Sequence, residues 1–234
     1  MLAFNLASWP VSIFSQPLRA VAPATFSALK DDPARMTRNF VRILGILSAV
    51  AIPACLAISG AAGPVVRFVY GAQWAPAADV LLWLAAFATL RIWFELAYDY
   101  LVVHGRSGLV LVIQSATFVV ALPVMLLVVR PLGEAGVAAA QLVVGLAVGV
   151  PLYLLSLRSV DVRVGAVARG VVLPTLAGLV VWVAAAALAR MVEPAFFAAA
   201  ASALVSVAVI AALALTQRAN LRLLRTALAN RGTS

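Results

Sequence analysis

The sequence is poor in charge and almost without cysteine or histidine. Only 11% of its 234 residues are charged, and it holds one Cys and one His. The single cysteine, Cys55, excludes an intrachain disulfide. With one histidine beside it, no cysteine–histidine metal framework can be assembled. Nor is there a phosphate-cradling loop or a Ser/His/Asp set. No enzyme activity, metal or cofactor is therefore expected. The basic residues are not clustered with interleaved aromatics, which excludes a nucleic-acid surface as partner. The N-terminus lacks a basic n-region and a small-residue cleavage site, so no cleavable signal peptide is expected.

What the chain has instead is apolar length. It is 65% hydrophobic with a mean hydropathy of +1.10. A soluble domain averages closer to half apolar and a quarter charged. Several uncharged runs reach the roughly 20 residues needed to cross a bilayer. The fold class is therefore all-α, a polytopic transmembrane helical bundle. Continuous apolar runs exclude a β-barrel, which shows short alternating segments.

Seven spans are expected. The first, 2–29, is interrupted by Pro10, Pro17 and Pro23 and carries Asn5, Ser8, Ser12, Ser15, Gln16 and Arg19. Prolines bend such a helix, and neighbours or water must satisfy the freed backbone groups. It is read as lining an interior. A polar loop follows at 29–42, then a second span at 43–60. Residues 61–76 are too short to span and form a turn or half-helix, with Tyr70 and Trp74 suited to the headgroup region. The third span is 80–101, closed by His104-Gly105-Arg106. The fourth is 109–129, with a turn at Arg130 to Glu134, and the fifth is 135–157. In the fifth, the Gly145/Gly149 spacing is one that lets helix backbones approach closely. A polar connection at 158–169 leads to spans at 170–189 and 195–216. The tail 217–234 sets Leu221, Leu224 and Leu228 against Arg218, Arg222 and Arg225. Two readings stay open for it: a basic amphipathic segment on an anionic membrane surface, or a solvated tail.

The third span holds the main anomaly. Arg91, Glu95 and Asp99 follow one another at four-residue steps, which places them on one helical face. One charge at mid-membrane costs about 2.5–3.5 kcal/mol on insertion scales. Three on one stripe are therefore expected to face protein or a water-filled cavity. An internal Arg91–Glu95 ion pair without a transport role is the competing reading. Trp83, Trp93, Tyr98 and Tyr100 could stack on sugars, but lipid-facing or belt roles are favoured for them.

Charge in the loops sets the orientation. Lys30, Arg35, Arg38, Arg42, Arg106, Arg158, Arg163, Arg169, Arg218, Arg222, Arg225 and Arg231 fall on one side; Arg67, Arg130 and Arg190 fall on the other. The positive-inside rule puts the C-terminus in the cytoplasm and the N-terminus in the periplasm. A polytopic chain that opens inside a membrane helix is expected to be the latter part of a longer one.

Several ordered motifs now bear on family. Residues 4–32 carry Phe4-Asn5-Leu6-Ala7, Pro10, Pro17-Leu18, Pro23-Ala24 and Asp31-Asp32. Ile52-Pro53, the segment VVRFVYGAQWAPAADVL at 65–81, His104-Gly105-Arg106 and PLGEAGVAAAQ at 131–141 follow in order. Over residues 4–141 this resembles the polysaccharide-type flippases of the multidrug/oligosaccharidyl-lipid/polysaccharide exporter superfamily. Residues 158–234 match only as two more spans and a basic tail. The resemblance implies the C-terminal lobe of a two-lobed flippase over 1–157, two extra helices over 158–216, and a cytoplasmic tail over 217–234. It implies translocation of a lipid-linked oligosaccharide or polysaccharide precursor across the bacterial inner membrane. The implied partners are membrane lipids, the lipid-linked sugar and an N-terminal lobe or second chain.

An anionic pyrophosphate crossing a membrane requires buried cationic charge. Arg91 is the first candidate for the substrate path, and the resemblance supports it, since family members often carry a basic residue near that position. Arg19 is the second, although snorkelling to the interface is the commoner fate of such a residue. Asn5, Gln16, Glu95 and Asp99 complete the candidate path. Glu95 and Asp99 have no role in the family pattern, and keep open a cation-coupled small-molecule exporter of the same superfamily. A truncated, non-transporting half-protein is the third reading.

Overall fold

The computed structural model describes residues 26–29 and 32–216. The expected first span, save residues 26–29, and the tail 217–234 lie outside the described residues. Among the described residues the chain is helical, with no strand. Its elements are α1 (Pro33–Gly60), α2 (Ala62–Tyr70), a short 3-10 turn (Ala72–Trp74), α3 (Ala77–Val103), α4 (Ser107–Val144), α5 (Val150–Arg158), α6 (Val164–Met191) and α7 (Ala195–Thr216). A five-residue π-helical turn, Gly145–Gly149, joins α4 to α5.

Two stretches expected as polar loops are partly helix. The Asp32 carboxylate accepts from the Arg35 amide at 2.9 Å, and Pro33 takes the first helical position. Asp followed by Pro is a helix start, because the cap satisfies an orphan amide and proline lacks one. α1 therefore begins ten residues before the expected span at 43. Likewise α6 begins at Val164, inside the connection expected at 158–169. Residues 61–76 form the expected brief half-helix and turn, and Trp74 is exposed there.

The α3–α4 turn is closed by two backbone bonds. The Gly105 amide donates to the Val102 carbonyl at 3.0 Å, and the Arg106 amide to Leu101 at 2.9 Å. Gly105 stands at φ +72, the left-handed residue this helix stop requires.

α4 is not straight. Gly133 has φ 61 and ψ −153, a region that is essentially glycine's alone. A Cβ placed on Gly136 would lie 3.3 Å from the Val128 carbonyl oxygen. A straight helix would hold two such residues about 12 Å apart. The chain thus folds back at Gly133, inside the turn expected at Arg130 to Glu134. Among the described residues five helices are long and apolar enough to cross a membrane, with Ser107–Arg158 counted once. The fold-back divides that one into limbs over 107–132 and 134–158.

α1 is the axis of the bundle, in contact with α3, α6 and α7. α6 runs parallel to it, with Gly170 against Gly45, Gly178 against Ile52, and Trp182 and Ala185 against Gly60. At the Gly45–Gly170 crossing the two backbones meet directly, a Cβ on Gly170 falling 3.6 Å from the Gly45 Cα. Small residues permit that approach where no hydrophobic gradient drives helices together. Two polar clasps tie α1 to its neighbours, one to α6 and one to α3. Trp182 of α6 donates to Ser59 Oγ at 3.2 Å, and Ser59 donates on to the Leu82 carbonyl of α3 at 2.7 Å. Trp93 of α3 donates to Ser48 Oγ at 3.0 Å, and Ser48 donates to its own helix at Leu44. At one end Phe26, Phe40 and Tyr100 form a buried aromatic cluster, and Tyr100 bonds Thr37 at 3.0 Å.

Candidate functional site

α3 carries the candidate path residues, and their burial deepens along the helix. The Arg91 side chain is 43% exposed, that of Glu95 18%, and Asp99 as a residue 7%. The adjoining stripe, Ile92, Leu96 and Tyr100, lies about 100° round the helix and within the core. Phe94 stacks on Tyr153 of α5 at 4.9 Å.

Arg91 Nε donates to Glu95 Oε1 at 3.3 Å, a long single contact rather than a bidentate fork. The guanidinium's terminal NH₂ groups make no bond among the described residues. Glu95 Oε2 is buried and has no hydrogen-bond partner among them. The stripe thus contains an ion pair made on one side only, with its cation half exposed. Chemically, such an arginine can offer an anionic group a two-pronged contact while Glu95 stays within reach. Asn5, Gln16 and Arg19 lie outside the described residues.

The aromatic residues near the stripe divide. Trp93 and Tyr100, expected at lipid or belt positions, are interior groups tied to Ser48 and Thr37. Trp83 is exposed. Gly145 and Gly149 also differ from expectation. They face the rings of Phe87 and Phe94, at 3.0 and 2.8 Å from where a Cβ would sit, and not another backbone. Their missing side chains make room for rings of α3. The Val150 amide there reaches back five residues to the Gly145 carbonyl, as a widened turn requires.

One feature was not expected from the sequence beyond a count of loop charges. Arg38, Arg42, Arg106, Arg163 and Arg169 line one chamber of about 1280 Å³, together with His104 and Asp161. The only sequence signal is the Arg38/Arg42 pair, one turn apart on α1 and a turn before Gly45.

Residues 1–79 match the model of a family described as polysaccharide biosynthesis protein. The fold is similar to that of "Lipid II flippase MurJ, inward closed conformation", with a TM-score of 0.74 at 14% identity. The match covers 94% of this chain and 47% of that one, so the chain spans about half the length of the flippase. No curated protein matches in sequence. The family match covers about a third of the chain, and the structural likeness shows a shared fold.

Proposed function

We propose that the chain is one lobe of a flippase that moves a lipid-linked oligosaccharide or polysaccharide precursor across the bacterial inner membrane. The observation that carries this reading is the fold, similar over 94% of the chain to a lipid II flippase. The family match at residues 1–79 points to the same class. In this reading residues 1–157 form the lobe, 158–216 add two helices that brace α1, and 217–234 are a cytoplasmic tail. Seven spans place the basic end of the bundle in the cytoplasm. A second lobe, on the same or another polypeptide, closes the cavity.

The substrate path runs along the α3 stripe. Arg91 contacts the anionic pyrophosphate, Glu95 holds Arg91 between visits, and Asp99, Arg19, Asn5 and Gln16 continue the polar surface. Each alternating state would bind that anion in turn at one site between the lobes. The test is Arg91→Ala with both lobes present, at matched protein levels, with surface polysaccharide measured. Export should fall about tenfold or more, since a charge-assisted contact contributes about 1.5–3 kcal/mol. Export equal to wild type would remove Arg91 from the path.

A second reading rests on the buried Glu95 Oε2, which lacks a hydrogen-bond partner among the described residues. A carboxylate so placed could take a cation, as in a cation-coupled exporter of the same superfamily. Glu95→Gln separates the two. It should lower lipid-linked sugar export only severalfold in the first case, since the amide oxygen can still accept from Arg91, and abolish ion-driven efflux of a cationic substrate in the second.

A further inference from the structure

Three separated stretches bring arginines to the chamber at the N-terminal end of α1. Arg38 and Arg42 come from α1 and Arg106 from the α3–α4 turn. Arg163 stands at the N-cap of α6, and Arg169 lies within its first two turns. Asp161 is the one carboxylate in the lining. The ion pair between described residues is Arg91–Glu95, so none of these five arginines makes a close ion pair with a described carboxylate, and five cations face the single charge of Asp161. Arg91, Glu95 and Asp99 do not line the chamber. The inference is thus independent of the path along α3.

An ordinary band of orienting charge spreads outward into the headgroup layer. Here Arg38, Arg106, Arg163 and Arg169 are themselves exposed, yet with Arg42 they border one open concavity whose α1–α6 seam, at Gly45 and Gly170, is tight enough for backbone contact. A concavity lined by one sign of charge focuses its potential and concentrates counter-ions. Guanidinium forks match phosphate oxygens in pairs, and several together favour an anion with more than one negative charge.

We propose that this chamber is a binding site for a phosphoryl anion carrying two or more charges. Two sources share that chemistry, a phosphomonoester lipid headgroup and a soluble pyrophosphate. The test uses the whole purified chain in zwitterionic lipid nanodiscs. One arm titrates inorganic pyrophosphate by calorimetry. The other adds phosphatidic acid to the nanodisc and measures the lipid retained by native mass spectrometry.

Binding in one arm alone identifies the source, and binding in neither overturns the site. The double variant Arg42→Gln/Arg169→Gln should weaken binding about tenfold or more, whereas Arg130→Gln/Arg190→Gln, at the other end of the bundle, should leave it unchanged. Equal binding by the first variant, or an equal loss in the second, overturns the proposal. Should the first variant unfold, Asp161→Asn decides. Asp161 sits at φ +61, where asparagine is tolerated, so the fold should survive. Removing the one lining carboxylate should tighten binding severalfold and make it less sensitive to competing cations. Unchanged affinity would refute a site built on these charges.

Discussion

α1 and the Ser107–Arg158 helix are almost equally apolar, with window hydropathies of 2.2 and 2.4. Their fates are opposite. The α1 window is 61% buried within the bundle, and the other only 6%. Hydropathy therefore does not sort these helices into inside and outside. Lipid tails are as apolar as leucine, so no hydrophobic gradient draws one helix inward. What distinguishes α1 is fit. It offers Gly45, Ser48, Ser59 and Gly60 to its neighbours, and each is engaged by a backbone or an indole. Residues 107–132 offer Leu111, Val112, Phe118, Val119 and Leu127, all more than 60% exposed.

The sharpest way to break this contrast is to spoil the fit of α1. A Cβ on Gly60 would sit 2.5 Å from the Trp182 carbonyl oxygen and 2.9 Å from Ala185 Cβ. A backbone atom cannot step aside, so Gly60→Ala should cost about 2–3 kcal/mol, seen as a lower midpoint in a denaturing-detergent titration. Gly165, with nothing within 4 Å, is the matched control, and Gly165→Ala should change stability by less than about 0.5 kcal/mol. Equal costs at the two glycines would defeat the argument from fit.

The next effect concerns the fold-back that sets residues 134–158 beside α3. Gly133→Ala places a side chain at φ 61, ψ −153, and should cost about 1–3 kcal/mol. A neutral result would mean that α4 does not reverse there. Ser59→Ala comes third. It breaks the relay from Trp182 through Ser59 to Leu82 and leaves an indole N–H without its acceptor. Hydrogen bonds between membrane helices average about 0.6 kcal/mol and reach about 1.7, and a loss in that range should appear in the same titration. The smallest effect belongs to the exposed face. Leu127 is 75% exposed, and Leu127→Ala should fall within about 0.5 kcal/mol of wild type. A much larger loss would show that something besides lipid covers that face.

Much of the helix order was legible in the sequence. The third span was expected at 80–101 and the helix runs Ala77–Val103; the last was expected at 195–216 and runs Ala195–Thr216. The early start of α1 was also legible, since Asp32-Pro33 is a helix start, but a hydropathy window passes over its polar first turns. For the candidate site, the four-residue spacing of Arg91, Glu95 and Asp99 implied one face. It could not tell how unequally that face is covered, because coverage comes from other parts of the fold. The Gly145/Gly149 pair misled for a related reason: glycine announces a close approach without saying whether a backbone or a ring makes it.

The sequence by itself determined that this chain forms long apolar helices, and roughly where those of the described residues lie. The cause is local. Inside a bilayer each segment must satisfy its own backbone, so a long apolar run has few options besides helix. The chamber was decided elsewhere. Arg38 and Arg42 are separated from Arg163 and Arg169 by the whole of α3 to α5, and they meet only because Gly45 and Gly170 let α1 and α6 touch. Spacing along a chain shows what one helix can present. Which helix receives it depends on steric complementarity between surfaces far apart in sequence, and tertiary packing alone supplies that.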